Sequence, residues 1–313
     1  MLNASSFQVL THNLSLSVLG ERFGLLVPIT YRQLNPEASR EQMKLSHLLG
    51  WGVEMVRASD VLFRQTMSTG SPAKETEWAR KHNLGEMAFN DAIFLQNSVH
   101  VLLQHYFSGD SRYSHYLDAY LTAARAATKG RLISFDRHPS NKAGLSGFDY
   151  ASYKAFVRND VSALNYCLPV SLALHQFGLH DNAVHRQARM IFNEIGYFTQ
   201  INRDYANAFL ERTGSDIAER KLTWLVVMAR QRGNAAQNAV LEKCYGSRDP
   251  ADVAAVREVY DELKMHKLVK NHLDQQRSDI LQMIQQISKL DKVGLSQEFM
   301  FKLIDSMNMN RIS

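Results

Sequence analysis

IGYFTQINRDYANAFLERTGSDIAERKLTWLVV, residues 195–227, is the stretch on which the reading of this chain turns. It continues a helical pattern that begins upstream in AVHRQARMIFNE, and it hands over to a second helical pattern in KLTWLVVMARQR. Apolar residues return at the three- and four-residue spacings of a helix with one buried face. The polar centre of the stretch, NRDYAN, holds a single carboxylate.

The same period governs the chain on both sides. It runs through MKLSHLLGWGVEMVRASDVLF (43–63), DAIFLQNSVHVLLQHYF (91–107), SHYLDAYLTAARAATKG (114–130) and SYKAFVRNDVSALNYCLPVSLALHQFG (152–178). It returns in PADVAAVREVYDELKMH and HLDQQRSDILQMIQQISKL. No run alternates apolar and polar residues as a half-buried strand does. Breaks are short and rich in Gly, Pro, Ser, Asp and Asn, at 69–76, 108–112, 136–147 and 246–250. With 16 Gly and 6 Pro in 313 residues, turns are few and helices long. The pattern predicts one all-α domain over residues 1–313, a bundle of roughly ten helices.

Composition narrows the function classes. A chain that is 45% hydrophobic and 21% charged can bury a substantial core. Its net charge of +5 is spread among acids rather than gathered in a patch, so nucleic-acid binding is not expected. Cys167 and Cys244 lie far apart and outside any metal-ligand spacing, which predicts free thiols in a reducing, cytoplasmic setting. No window suggests a membrane span, and the broken apolar character of residues 1–20 does not read as a signal peptide.

Several segments together resemble the farnesyl diphosphate synthase family of all-α isoprenyl diphosphate synthases. The family's Gly-x-x-Phe-Gln pattern appears as Gly196, Phe198 and Gln200, with one residue between Phe198 and Gln200. Its Gly-Thr-Asp-Ile appears as Gly214-Ser215-Asp216-Ile217, followed by Lys221 and Trp224. LGWGVEMVRASDVLF (49–63) is similar to the helix leading into the family's first aspartate-rich motif, and EWARKHNLGEMAFNDAIFL (77–95) to the stretch after it. The resemblance implies a helical bundle around a central cavity, with a shortened N-terminal region. It also implies a dimer, either of two copies or with a family paralogue, and an isoprenyl diphosphate or other anion as ligand.

The chemistry of that family depends on Mg²⁺, which neutralises a diphosphate leaving group and demands hard oxygen ligands. Here the first motif is matched by Arg64-Gln65-Thr66-Met67-Ser68, without a carboxylate. The second is matched by Arg203-Asp204-Tyr205-Ala206-Asn207, with only Asp204. The cavity positions are thus Arg64, Gln65 and Ser68 on one side and Arg203, Asp204 and Asn207 on the other. The basic grip on a second diphosphate is matched by Gly20 to Phe23, the later Arg pair by Pro72-Ala73-Lys74, and the mid-chain Lys-Thr by Asp160-Val161. The basic tail is reduced to Arg311, and the two chain-length positions on the pocket floor are Ser59 and Asp60.

Two uses of the altered residues are open. Arg64, Arg203, Arg212 and Lys221 are candidates to bind a diphosphate directly, since guanidinium can do so without metal. Alternatively Arg64 pairs with Asp60 one turn earlier and Arg203 with a nearby acid. Asp204 with Asp216 is the candidate for a residual metal site, and Mg²⁺ enters only if some activity persists. His175, His180 and His185 are spaced by five and interrupted by Gly178, so no shared helical face and no metal site are expected of them. Trp51, Trp78 and Trp224 read as packing residues. The resulting expectation is a family scaffold without Mg-dependent prenyl transfer, acting as a binding or partner subunit. The competing expectation is a diverged prenyltransferase or terpene synthase.

Overall fold

A computed structural model of the chain describes residues 22–67, 87–135, 144–210, 215–290, 297–298 and 300–301. Among these residues the fold is helical, with no strand. A 3₁₀ turn, Phe23–Leu25, opens into α1 (Leu26–Leu34), followed by α2 (Arg40–Met67), α3 (Met87–Phe107) and α4 (Tyr113–Phe135). Helix α5 (Tyr150–Phe156) widens into a π-helical stretch, Val157–Cys167, and narrows again as α6 (Leu168–Phe177). Helix α7 (Asn182–Tyr205) also ends in a π stretch, Ala206–Leu210. Then come α8 (Ser215–Ala218), α9 (Trp224–Arg232), α10 (Ala235–Cys244), α11 (Pro250–Glu262) and α12 (Met265–Leu290).

The helix ends follow from local chemistry. Asp149, Thr223 and Asp249 each accept a backbone N–H at the start of α5, α9 and α11, and Pro250 opens α11. Asn234 and Gln237 satisfy each other's backbone N–H in a capping box at α10. The sequence pattern over 152–178 predicts an even helix, whereas the structure inserts π pitch before Pro169. Pro169 has no N–H to give and its ring crowds the carbonyl four residues back, so it removes one rung of the regular α ladder here. Helix α6 stops at Gly178, whose φ of +96° is left-handed. The Leu179 N–H reaches back to Leu174 O at 2.9 Å and the Gly178 N–H to His175 O at 3.0 Å, the paired bonds of a Schellman ending.

The helices gather into two compact units, described separately. One draws on residues within Met1–Ala127 and Ala163–Arg189, the other on residues within Thr128–Ser162 and Met190–Lys292. In the first, α2 contributes Leu49, Val53 and Leu62, α3 contributes Leu95, Val99 and Leu103, and α4 contributes Tyr116 and Tyr120, all buried at helical spacing. In the second, Ile195, Phe198, Ile201 and Tyr205 form the buried face of α7, against an α9 whose Trp224, Leu225, Val226 and Val227 are all buried. Trp224 therefore packs as the sequence predicts. Trp51 does not: it is 52% exposed, because its place on α2 faces away from the buried stripe of Leu49 and Val53. Trp78 lies outside the described residues. Both cysteines are free thiols, Cys244 buried and Cys167 partly so.

Gly196, which carried part of the family pattern, has a packing reason. A Cβ there would lie 3.0 Å from the Ser162 Cα and collide with the Ser162 side chain, so α7 and the π stretch approach through the missing side chain. Alanine in a helix interior normally gains about 1 kcal/mol over glycine. Gly196→Ala is expected to reverse that sign, since overpacking costs about 1–3 kcal/mol. Urea unfolding should show a lowered midpoint with unchanged slope.

Candidate functional site

In the first unit the positions of interest lie along α2. Ser59 and Asp60 are buried. Asp60 Oδ2 accepts from Arg64 Nε at 2.7 Å, the one-turn ion pair that the spacing predicts. Earlier on the same helix, Glu54 accepts the Gly24 N–H at 2.6 Å and Arg57 Nη1 at 2.8 Å, and Arg57 Nε donates to Asn165 Oδ1 at 2.9 Å. The Arg57 guanidinium also lies 4.4 Å from the centre of the Phe23 ring, so Phe23 is a buried anchor rather than part of an anion grip. Gln65 belongs to α2, but its side chain lies outside the described residues, as do Ser68, Lys74 and Arg311 altogether.

In the second unit the centre is Asp204, 2% exposed. Three donors surround its carboxyl group. Tyr153 Oη donates to Oδ2 at 2.8 Å, the Trp224 backbone N–H to the same oxygen at 2.8 Å, and Gln200 Nε2 to Oδ1 at 2.7 Å. Tyr153 is on α5, Gln200 one turn back on α7, and Trp224 is the first residue of α9. One carboxyl group thus ties three helices together and fills an otherwise orphaned N–H at a helix start.

Burial pushes Asp204 up to about 7, with the nearby charge of Asp216 acting in the same direction. The Trp224, Tyr153 and Gln200 hydrogen bonds pull it down but do not win. Asp216 itself holds Lys221 Nζ at 2.5 Å, and Glu219 holds the same ammonium at 3.2 Å. Asn207 Nδ2 donates to Ser215 Oγ at 2.8 Å, and its Oδ1 accepts the Asp216 N–H at 3.2 Å, closing the start of α8. Arg203 is half-buried on α7, Asp160 is buried in the π stretch, and Arg212 lies outside the described residues.

Three adjacent donors, a neutral form accessible near pH 7 and no exposed oxygen make Asp204 ill-suited to hold Mg²⁺, which asks for charged, accessible oxygen. In neither unit do three carboxylates among the described residues converge within metal-sharing distance. Among the described residues the side chains do not fit the metal cluster of the resembling family. The sequence located Asp204 and Gln200, whose four-residue spacing on one helix admits the bond between them, but it passed over Tyr153.

The histidines require a correction. His115, His175 and His180 each bring a ring nitrogen within 4.8 Å of the others, despite the five-residue spacing of the last two. The Schellman ending folds the chain back on α6, and His115 arrives from α4, so a shared helical face was the wrong criterion.

Removing the Asp204 carboxyl strands three donors. Asp204→Ala should cost about 3–5 kcal/mol, read from urea midpoints, with Asp204→Asn costing much less because it keeps an acceptor for the Trp224 N–H. A folded pKa raised above the unfolded 3.8 stabilises fully below that value and is lost as pH rises through about 7. The stability of the wild type relative to Asp204→Asn should therefore fall by about 1.4 kcal/mol per pH unit between those values and then level off.

Comparison with known proteins places the chain. The family model described as polyprenyl synthetase matches residues 20–263. The farnesyl pyrophosphate synthase of Nezara viridula is 29% identical over 293 residues, 90% of this chain and 70% of that protein. That of Gallus gallus is 29% identical, covering 88% of this chain and 78% of its own length. A chloroplastic monoterpene synthase of Artemisia spiciformis is 31% identical over 237 residues, 73% of this chain and 59% of that protein.

Proposed function

The chain belongs to the polyprenyl synthetase family, and we propose that within it this is a non-catalytic member, a single family domain kept for binding or for pairing with another family chain. The observation that carries this reading is Asp204. The one carboxylate left at the second motif is spent on Tyr153, Gln200 and Trp224. Asp216 is likewise spent on Lys221, and both act as structural carboxylates rather than metal ligands. At the first motif Arg64 stands where a carboxylate would be needed and holds Asp60. Without metal ligands the leaving diphosphate loses its main electrostatic stabilisation.

A second reading, a diverged prenyltransferase or terpene synthase acting on an allylic diphosphate, draws support from the likeness to the Artemisia spiciformis monoterpene synthase. The two are separated by incubating the folded protein with dimethylallyl, geranyl and farnesyl diphosphates, with and without isopentenyl diphosphate, in Mg²⁺ or Mn²⁺. The non-catalytic reading predicts neither longer diphosphates nor hydrocarbons. A product that disappears in Asp204→Asn would replace it with the second reading. Direct anion binding by Arg64, Arg203, Arg212 or Lys221 is tested by calorimetry with inorganic diphosphate in the absence of Mg²⁺. Absence of heat at millimolar ligand ends it.

Pairing is supported by α3, which exposes Phe89, Ile93, Phe94 and Val101, with Phe89, Ile93 and Val101 along one i,i+4 line. A second copy or a family paralogue covers this stripe. Light scattering of the purified chain is expected to give twice the monomer mass, and Ile93→Glu with Val101→Glu to return it to one. Among the described residues no helix is long and apolar enough to cross a membrane, and two free thiols agree with a cytoplasmic protein.

A further inference from the structure

His115, at the start of α4, His175, in the last turn of α6, and His180, just beyond the Schellman ending, stand together away from Asp204 and its partners in sequence and in chemistry. The rings are stacked. His115 lies 4.2 Å from His180 and 4.9 Å from His175, centre to centre, at interplanar angles of 11° and 14°. His175 Nδ1 and His180 Nδ1 are 3.0 Å apart, a separation that admits only one proton between them.

The surroundings hold these rings in place without using up their nitrogens. His185 stacks on His175 at 4.1 Å, but both of its own nitrogens are committed. Nε2 donates to Leu179 O at 2.9 Å, which leaves Nδ1 to accept from Ser171 Oγ at 3.0 Å. Arg112 is gripped by Asp110 through Nε at 2.8 Å and Nη2 at 2.7 Å, and its Nη1 donates to Gln176 O at 2.5 Å. That clasp fixes the approach to α4 against the end of α6, and Asp110 offsets the guanidinium charge beside the imidazoles.

We infer that His115, His175 and His180 form a binding site for a late first-row divalent transition metal of the Zn²⁺ class, with His185 as a positioning residue behind His175. Imidazole is the donor such ions favour, whereas Mg²⁺ prefers oxygen, so this site is chemically separate from the family's metal cluster. Three histidines and a water complete a tetrahedron, with metal–nitrogen distances of about 2.0–2.1 Å. One ring nitrogen from each histidine already lies within 4.8 Å of the others. Burial and the neighbouring imidazoles lower both His175 and His180, the direction that favours the uncharged ring a metal binds. Bound metal would tie α4, α6 and the turn before α7 into one piece.

The test uses the full chain without an affinity tag, stripped with a chelator. Zn²⁺ is titrated by calorimetry, and Co²⁺ by visible absorption. One Zn²⁺ per chain is expected, with an intense tetrahedral Co²⁺ spectrum. His115→Ala and His180→Ala should each weaken Zn²⁺ by roughly tenfold or more and lose the metal-dependent rise in melting temperature. His47→Ala, an exposed histidine elsewhere on α2, should change neither. Melting in chelator checks that the variants fold. The site is overturned if the unmutated chain gives no tetrahedral Co²⁺ spectrum, or if Zn²⁺ binds the two cluster variants as tightly as the wild type.

Discussion

A carboxyl group shut away from water must be given its hydrogen bonds by the protein or it unfolds the protein around it. Asp204 is given three, from α5, α7 and α9. The demand runs in both directions. The Trp224 N–H opens α9 and needs an acceptor, and the Tyr153 side chain is fully buried, so its hydroxyl needs one within the protein. Satisfying all of these at one point fixes how three helices meet, and that meeting defines the second unit's core around Ile201, Tyr205 and Trp224.

The same requirement governs other charged groups of the chain. A metal-ligating carboxylate must be charged and must face its ion. A structural carboxyl must be satisfied and enclosed. Asp204 meets the second description, with burial lifting it to about 7 against the pull of its donors. Asp216 and Lys221 neutralise each other nearby, and Asn207 closes the start of α8 through Ser215 and the Asp216 N–H. In the first unit Arg64 and Asp60 do the same along one face of α2. Each of these polar groups has a partner nearby, which is what a stable helical scaffold requires of polar groups taken out of solvent.

How much of this was legible beforehand depends on the range of the interaction. Helix positions, the buried stripes and the Arg64–Asp60 pair follow from three- and four-residue spacing and were readable from it. Two partners of Asp204 were not: Tyr153 is 51 residues away and Trp224 is 20, and the latter bond comes from a backbone N–H that no side-chain pattern can signal. The histidine cluster is hidden from sequence spacing for a related reason. Gly178 reads as an interruption, yet its left-handed backbone is what returns His180 to His175, and His115 comes from a different helix. Trp51 was misplaced because an aromatic residue in a helical segment says nothing by itself about which side of the stripe it occupies.

The most direct test of the account is the ionisation of Asp204 in the folded protein. Carbon-13 labelling of aspartate carboxyls, with the signal assigned by its loss in Asp204→Asn, would follow that one group through a pH titration with and without Mg²⁺. The account predicts a midpoint near 7 that Mg²⁺ leaves unchanged. A midpoint at or below the ordinary carboxylate range, or one that Mg²⁺ shifts downward, would mean an ionised metal ligand and would contradict it.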